Sequence, residues 1–585
     1  MITPELRLEV PLVVAGARRT APRTGIKRQL RASTALRQML RATAWSGVSI
    51  AIVSAASANP TGGSVVSGQA NINQADPNHT VITQTSQNAA INWQSFSIGS
   101  KQSVTINQPS STSWELERVI GPDPSRIAGQ LNSNGNVALI NPNGLFFSRG
   151  SQINVHSIVA TTADIRDLDF NAGRLKFDIP SPNPNAKVVN EGTITVADHG
   201  LAALVAPDVR NSGTITAKFG RVMLAGAQAF TVDLYGDGLI SFDVTSQVKA
   251  ANVSNTGKLE ADGGVIQLSA SSVDDIVTGV INMGGTVAAN TVGTQTGTVT
   301  ADAGANGQLN VTGQVSAQGA HAGETGGSIG LTGGTVSVAG TATIDASGSA
   351  GGGGIKVGGG LHGTDSSIAN AQTTTVAAGA TLDASATGKG DGGTVVVWSD
   401  KKTAVHGTIR AKGGAKGGNG GFVETSSHGH LDIAGAKVDT RAPKGHAGTW
   451  LLDPTEIDVV DTLVTPDDIL ATDIENQLAT TNVDLVADSK VEFKTSIAYA
   501  GASNASLAAH APSIILDDDV SISSSSARLA VNLDAGASGA VTLGANSSIA
   551  TNGGALSIAA GTGGLTFAST SSLATTGSAL GAGNL

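Results

Sequence analysis

A short motif that recurs at a regular spacing constrains the fold of this chain more than any other feature of its sequence. Three segments, which begin at Asn190, Asn211 and Asn255, share the pattern Asn-x-Gly followed by alternating apolar residues. Their starts lie 21 and 44 residues apart, and we interpret these intervals as one period and then two. Related segments recur every 28 residues, from Gly379, Gly407 and Gly435. A period in the twenties is typical of a solenoid.

Each repeat joins a short alternating strand, such as the one with Ile194 and Val196, to a turn of Asn, Gly or Asp. Alternation places the apolar side chains on one face of the strand, and Gly or Asn allows positive φ at the corner. One coil cannot bury that face, but a stacked neighbour covers it. The sequence therefore predicts an all-β fold, a parallel β-helix. We expect roughly 20 coils after residue 188, a stack on the order of 90 Å long.

The composition agrees with a narrow, stacked core. Aromatic residues are only 3% of the 585 residues and charged residues only 14%, whereas glycine occurs 76 times. A conventional globular core needs more aromatic side chains, and a coiled coil needs more charge. The composition thus excludes both, and it favours a long, repetitive β-protein.

The first 58 residues differ from the rest in charge. They contain nine Lys and Arg against two Glu, a net charge of +7, while the remainder carries −17. An uncharged stretch after Arg41 ends in Ala56-Ser57-Ala58, the small-x-small pattern that a signal peptidase requires. We predict a signal peptide over 1–58 that engages the Sec machinery and is cleaved before Asn59. Translation from Met39 would also give an ordinary signal peptide, so both starts stay open.

An exported chain without cysteine needs an explanation, because oxidising compartments usually lead to disulfides. One explanation is that the chain crosses a second membrane while still unfolded. A disulfide formed in the periplasm would then block its passage.

Several specific strings lie between Ile91 and Ile165. In order they are INWQSF, INQPS, SRIAGQL, NGNVALINPNGLFF and INVHSIVATTADI. Together they resemble the N-terminal secretion domain of the two-partner-secretion exoproteins, the filamentous-haemagglutinin-like family. A later stretch that includes GGFVETSSHGHLDIAG and GHAGTWLLDPTEIDV resembles a block common in large adhesin-like members.

The resemblance implies a right-handed parallel β-helix with an N-terminal cap. It also implies export through an outer-membrane β-barrel transporter that recognises the secretion domain, and a secreted or cell-surface location in a Gram-negative bacterium. By the same resemblance the protein is a filamentous adhesin with a receptor on a host or neighbouring cell. The domains expected are a signal peptide (1–58), the secretion domain (59–188), a β-helix shaft (189–454) and further coils with a helical insertion (455–585).

Two short motifs are the candidate secretion signals. The first is the turn Asn141-Pro142-Asn143-Gly144, in which Pro142 fixes φ and Asn143 and Gly144 tolerate positive φ. It either forms a turn needed for folding, or is read by the transporter, or both. The second is Asn107-Gln108-Pro109, which stands nearest the place of the family's Asn-Pro-Asn-Leu motif. That motif has no copy here.

Three further local features carry structural expectations. A helix is predicted over Pro466–Ala479, with Thr465 as its cap and Pro466 at its first position, as a lateral insertion. The glycine clusters Gly351–Gly354 and Gly413–Gly421 are expected to be flexible loops between coils. They lack the Lys and Ser/Thr of a phosphate-binding loop.

Enzymatic and metal chemistry receive little support from the sequence. The alternative to an adhesin is a secreted β-helical carbohydrate-active enzyme, a polysaccharide lyase or hydrolase, which needs clustered carboxylates on one face. The acidic runs Asp517–Asp519 and Asp274–Asp275 are more typical of turns. His428 and His430 could share one strand face, but no third ligand is near them in sequence. We expect no catalytic site, metal or cofactor, and the acidic body argues against a nucleic-acid partner.

Overall fold

Short strands and tight turns make up almost all of the chain that can be described. A computed structural model describes residues 59–232, 251–270, 279–465 and 468–575. The chain divides into two compact units, Met1–Ala56 and Ser57–Leu585, and only the second falls among the described residues. The predicted signal peptide, 1–58, lies outside the described residues. Asn59, the residue that follows the predicted cleavage point, is the first described residue.

Three mainly parallel sheets run along a stack of coils, and most coils give one strand to each sheet. Sheet A has 18 strands: Ser64–Ser67, Asn88–Trp93, Trp114–Val119, Asn136–Ile140, Ser157–Thr161, Leu201–Ala206, Arg221–Gly226, Val265–Ser269, Thr298–Asp302, Ser328–Thr332, Gly354–Val357, Thr394–Ser399, Phe422–Ser427, Thr449–Asp453, Asn482–Val486, Ala505–His510, Leu529–Asp534 and Leu556–Ala559.

Sheets B and C are each built in two sections. Sheet B has 11 strands and then six: Ser125–Ile127, Leu145–Phe147, Lys187–Asn190, Asp208–Asn211, Asn252–Asn255, Val280–Met283, Gln308–Val311, Thr335–Val338, Thr373–Val376, Lys402–Val405 and His430–Asp432, followed by Glu456–Val460, Asp468–Leu470, Lys490–Phe493, Ser513–Leu516, Ala540–Leu543 and Gly564–Phe567. Sheet C has 14 strands and then four: Ala70–Asp76, His79–Gln84, Ser103–Asn107, Gln130–Ser133, Gln152–Val155, Thr193–Val196, Thr214–Thr216, Lys258–Glu260, Thr286–Ala288, Gln314–Ser316, Thr343–Asp345, Thr381–Asp383, Thr408–Arg410 and Lys437–Asp439, followed by Ile497–Tyr499, Ser521–Ser524, Ser548–Ala550 and Ser572–Ala574.

The core is a set of apolar ladders that run from coil to coil. In sheet C, Ile153, Ile194, Ile215 and Leu259 are successive register partners, and all four are fully buried. The residues between them point outward, as the alternation predicts. Each such side chain contributes about 1.5–3 kcal/mol by leaving water. The prediction of a parallel β-helix is confirmed.

The recurring asparagines form a second, polar ladder at one corner. The Asn190 side-chain amide donates to Oδ1 of Asn211 at 2.8 Å, and the Asn211 amide donates to Oδ1 of Asn255 at 2.7 Å. All three residues are buried. Each asparagine therefore satisfies the next at a position where water cannot enter.

The interpretation of the 44-residue interval as two periods is wrong. Thr214 and Lys258 are direct register partners, so one coil separates them. The additional residues leave the stack: Phe230–Val232 pairs antiparallel with Leu175–Phe177 outside sheet A, and 233–250 lie beyond the described residues. Because a coil closes through its corners, it accepts an insertion there without losing register.

The expected number of coils was too high for the same reason. Sheet A has 13 strands after residue 188 among the described residues, where about 20 coils had been predicted. At about 4.8 Å per strand these coils give a stack roughly 60 Å long. Insertions at the corners use the remaining residues.

The predicted helix exists, but its start and its place were wrong. Helix α2 spans Ala471–Leu478, and Asp468–Leu470 before it is a strand of sheet B. Thr465 does not cap the helix; its hydroxyl donates to Asp468 Oδ1 at 2.6 Å, and Pro466 lies outside the described residues.

Helix α2 replaces a sheet C strand instead of projecting sideways. Gln477 Oε1 accepts the Val438 N–H at 2.7 Å on one side, and Glu475 Oε1 accepts the Ala498 N–H at 2.6 Å on the other. Two side chains thus satisfy the strand edges above and below. This substitution separates the two sections of sheet C.

The glycine clusters are stacked turns and not loops thrown out from the coils. Gly352 N donates to Asp391 O in the following coil at 3.0 Å, and Gly414 N donates to Gly390 O in the preceding coil at 2.9 Å, so each turn bonds to a neighbouring coil. A Cβ on Gly352 would collide with the backbone of Ala384. Glycine is needed here because backbones approach too closely for any side chain.

An additional layer covers the outer face of sheet A near its beginning. Helix α1 (Asp167–Asn171) and the strand pair Leu175–Phe177 and Phe230–Val232 bury Phe170, Phe177 and Phe230 against it. The Phe177 and Phe230 rings stack with centroids 4.7 Å apart. This part of sheet A therefore has buried apolar side chains on both faces.

The predicted N-terminal cap is also present. Ser64–Ser67 and Ala70–Asp76 each pair antiparallel with the strand that begins the parallel part of their sheet, Asn88–Trp93 and His79–Gln84 respectively. They end the parallel pairing at this side of the stack. Within the described ranges, no helix is long and apolar enough to cross a membrane.

Candidate functional site

The motif Asn141–Gly144 forms the corner between sheet A and sheet B in one of the first coils. Gly144 N donates to Asn141 O at 3.0 Å, which closes a turn, and Gly144 has φ 115°. Asn141 is fully buried, while Pro142 and Asn143 are half-buried.

The two asparagines of this motif tie their corner to the preceding coil. Asn141 Nδ2 donates to Asp123 O and to Ser125 Oγ, both at 3.0 Å, and its Oδ1 accepts the Asn143 N–H at 2.9 Å. Asn143 Nδ2 donates to Gly121 O at 3.0 Å. In the folded protein these amides are bonded within the corner itself.

Gln108 has a comparable role at a different corner, between sheet C and sheet A. Gln108 is buried, whereas Asn107 and Pro109 beside it are exposed. Its side chain and backbone bond to four residues: Gln84, Ser133, Asn134 and Asn136. The structure does not bring the two motifs together on one surface.

Two glutamates inside the core of the secretion region were missed from the sequence. Glu115 and Glu117 are register partners of the buried Val137 and Leu139, and both are fully buried. The Trp93 indole N–H donates to Glu117. Burial raises the pKa of Glu117 to about 7, and burial with the neighbouring Glu117 carboxyl raises the pKa of Glu115 well above its usual range.

The sequence of the strand Trp114–Val119 does not indicate that these glutamates are buried. It alternates apolar and charged residues, and Trp114 and Leu116 face the outer layer while the glutamates face the core. Arg118 on the outer side bonds to Asp164 at 2.8 Å and to Asp167 at 2.7 Å. Alternation alone predicts that the apolar residues of this strand face the core. They face outward instead, because helix α1 covers them on that side.

The predicted cleavage point can be placed only in part. Ala56 and Ala58 lie outside the described residues. Asn59 is buried, and its Nδ2 donates to Pro77 O at 2.5 Å. Cleavage before Asn59 stays a prediction.

The candidate catalytic and metal residues are dispersed. Asp517–Asp519 lead into a turn, with Asp519 at φ 61°, and Asp274–Asp275 lie outside the described residues. His428 and His430 do not share a strand face. His428 lies in a bend with its ring edge against Trp398, 4.9 Å between centroids, and His430 is exposed in sheet B.

A different group of potential metal ligands meets on the outer face of sheet A. His362, Glu424 and Asp453 bring one ligand atom each within 4.8 Å of one another. Burial raises the pKa of Glu424 to about 7, and it also raises the pKa of Asp453. Sequence spacing could not find this group, because His362 lies in an insertion between two coils.

The fold defines the structural class of this protein: a parallel β-helix with a capped first coil and hydrogen-bonded corners. The model of the TPS secretion domain, that is, the two-partner secretion domain, matches residues 56–317. The crystal structure of the HMW1 secretion domain from Haemophilus influenzae is similar, with a TM-score of 0.58 and 32% identity, covering 68% of this chain and 100% of that one.

Two curated relatives are heme/hemopexin-binding proteins of Haemophilus influenzae. They are 33% identical over 207 residues and 38% identical over 112 residues, which are 34% and 19% of this chain. The matched segments span only 23% and 12% of those proteins.

The chain belongs to the two-partner-secretion exoproteins. Proteins with this domain are exported from Gram-negative bacteria through an outer-membrane transporter partner. The matched family is a secretion-domain family and not an enzyme family. The domain boundaries given above stay a prediction.

Proposed function

We propose that this chain is a surface adhesin that passes its transporter unfolded and folds coil by coil outside the cell. The signal peptide over 1–58 delivers it to the periplasm through the Sec machinery. The coils of 59–188 engage the transporter, and the later coils form the surface that binds a receptor on a host or neighbouring cell.

The strictly local pairing of strands is the observation that supports this proposal. Each strand of sheets A, B and C bonds to strands of adjacent coils, and the cap closes the first coil with antiparallel strands. A chain that emerges from its N-terminus can therefore fold as it appears, without waiting for its C-terminal part. The absence of cysteine leaves no covalent crosslink to obstruct the passage.

Export through the partner is tested by deleting 59–188 and measuring the protein outside cells that express the transporter. We expect the deleted protein to stay in the periplasm. A control that lacks 505–575 removes coils at the other end, and it should be exported. Equal export of both shortened proteins would contradict the proposal.

Recognition of Asn141 by the transporter needs a separate test, because Asn141 also stabilises a corner. Asn141→Ala is compared with Gln477→Ala, which removes a buried amide that also bonds to the neighbouring coil but lies beyond the matched secretion domain. If the transporter reads the motif, only Asn141→Ala lowers export. Equal effects of the two variants would mean that Asn141 serves the fold alone.

A groove on the outer face of sheet A supports the adhesive role. It has a volume of about 550 Å³, and polar side chains along it include Gln267, Thr300, Ser328 and Lys356. The test is adherence of cells that display the protein, with Gln267→Ala and Thr300→Ala combined. The control is Gln152→Ala, which is exposed on sheet C. Unchanged adherence of the groove variant would exclude the groove as the receptor site.

A further inference from the structure

Three side chains from separate parts of the chain meet over the outer face of sheet A. His362 lies in a 3₁₀ turn, Leu361–Gly363, within an insertion after the strand Gly354–Val357. Glu424 and Asp453 point outward from two successive sheet A strands, Phe422–Ser427 and Thr449–Asp453. Because one of the three side chains lies in a loop and the other two lie on strands, the group connects the loop to sheet A.

The distances fit one small cation. His362 Nδ1 is 3.2 Å from Asp453 Oδ2 and 3.9 Å from Glu424 Oε1. Two ligands on a tetrahedral Zn²⁺, each about 2.0–2.1 Å from the metal, lie about 3.4 Å apart. A small adjustment of His362, which is half exposed, would bring all three atoms into range.

The surroundings of Glu424 are hard to explain without a positive charge. Its side chain is fully buried, and the hydrogen bonds that reach it are from the His362 backbone N–H, at 3.0 Å and 3.3 Å. A buried carboxylate is costly unless a cation or several donors compensate it.

An unpartnered hydroxyl beside Glu424 is a second, independent observation. Ser426 lies two residues further along the same strand, so it projects from the same face, and its register partner is Asp453. It is fully buried, and its Oγ, which lies beside the Glu424 carboxyl, makes no well-formed hydrogen bond among the described residues. An oxygen placed between two potential ligands can bind a metal-bound water.

We propose that His362, Glu424 and Asp453 bind a divalent transition-metal cation of the Zn²⁺ type, which fixes the insertion around His362 to sheet A. One imidazole nitrogen with two carboxylate oxygens is a mixed set that suits Zn²⁺ better than Ca²⁺ or Mg²⁺, which prefer oxygen ligands alone. The cation supplies the positive charge that buried Glu424 lacks. It connects the insertion to the two successive sheet A strands that carry Glu424 and Asp453.

The competing explanation is an ion pair in which a protonated His362 sits between the two carboxylates. His510 provides a matched control, because it also lies between two carboxylates on sheet A, 3.4 Å from Asp484 and 3.8 Å from Asp534. A histidine that merely pairs with acids should behave alike at both places.

The test is a titration of the purified full chain with ZnCl₂ by calorimetry, together with thermal unfolding with and without Zn²⁺. We expect one tight site and a rise in Tm. His362→Ala and Glu424→Gln should weaken the binding more than about a hundredfold, since even loss of a supporting residue costs 10- to 100-fold. His510→Ala should leave it unchanged, and CaCl₂ and MgCl₂ should not replace Zn²⁺.

The proposal would be overturned by no Zn²⁺ binding by the unaltered chain, by equal binding by His362→Ala, or by loss of binding in His510→Ala. Circular dichroism checks that each variant is folded. Asp453→Asn, which keeps the size of the side chain, gives a second measurement if Glu424→Gln fails to fold. Unaltered affinity in folded Asp453→Asn would also contradict the site.

Discussion

Polar side chains at the corners of this stack have a role as specific as that of the apolar side chains inside it. Asn190, Asn211 and Asn255 bond in a chain, and Asn141 and Gln108 hold two corners of the secretion region. Each amide satisfies a neighbour that water cannot reach. A buried amide that loses its partner costs about 1–3 kcal/mol.

Removing the middle asparagine tests this role. Asn211→Ala should lower the free energy of unfolding by about 1–3 kcal/mol, because the Asn190 amide and the Asn255 oxygen both lose a partner. Urea unfolding measures the change. Asn154→Ala is the matched control, since Asn154 also bonds across coils but is exposed. Equal losses in the two variants would show that burial of the ladder contributes nothing.

The buried glutamates predict a pH dependence of stability. The pKa of Glu117 is raised in the folded state from 4.5 to about 7. Its protonation therefore stabilises the fold fully below about pH 4.5, and this contribution is lost as the pH rises to about 7. The contribution amounts to about 3 kcal/mol.

Glu117→Gln should weaken that dependence and not abolish it, because the buried Glu115 carboxyl, whose pKa is raised mainly by burial, remains in the variant. Between pH 5 and pH 7.5 the unaltered chain should lose free energy of unfolding, and the variant should lose less, with higher stability at pH 7.5. Urea unfolding at several pH values measures both. Glu191→Gln, at an exposed position, serves as control. Parallel pH profiles for all three proteins would contradict the assignment.

Sequence could predict the inward side chains but not these glutamates. Alternation identified Ile194 and Val196 because their outward neighbours are polar. In the strand Trp114–Val119 the same rule would have placed Trp114 inside and Glu115 outside. The orientation reverses because helix α1, distant in sequence, supplies an apolar cover. The candidate metal ligands could not be predicted from the sequence either, since His362 reaches Glu424 only through an insertion.

At the scale of the element, the coil and not the strand is the repeating unit. Coils of 21 and of 44 residues both return Ile215 and Leu259 to the register of Ile194. Doubling a loop costs only about 0.6 kcal/mol, so insertions at corners are inexpensive. The sequence motif marks a corner but not the number of coils between two corners, and this is why the 44-residue interval was misread.

The corrected register predicts a specific crosslink. Thr214→Cys combined with Lys258→Cys should form a disulfide in the folded protein, because partners in adjacent strands are about 4.8 Å apart and a disulfide needs 4.4–6.8 Å between Cα atoms. Non-reducing electrophoresis detects it in a chain that has no other cysteine. Thr193→Cys with Lys258→Cys, two coils apart, should not crosslink. Failure of both pairs to crosslink would restore the interpretation of two periods.

At the scale of the whole molecule, a cap, a stack of local pairs and the absence of cysteine agree with the proposed route of assembly. The cap ends pairing on one side, so growth proceeds toward the C-terminal coils. Helix α2 shows that the stack tolerates a changed element as long as Gln477 and Glu475 satisfy the strand edges. Folding outside the cell then requires only that the chain arrive in order.

The paired variant Thr214→Cys and Lys258→Cys tests this route directly when it is expressed with the outer-membrane transporter. In the oxidising periplasm the disulfide closes a loop, and the amount of protein outside the cells is measured with and without a membrane-permeant reductant. We expect export to stop without the reductant and to return with it, while each single variant is exported normally. Undiminished export of chains that carry the intact disulfide would contradict passage in the unfolded state.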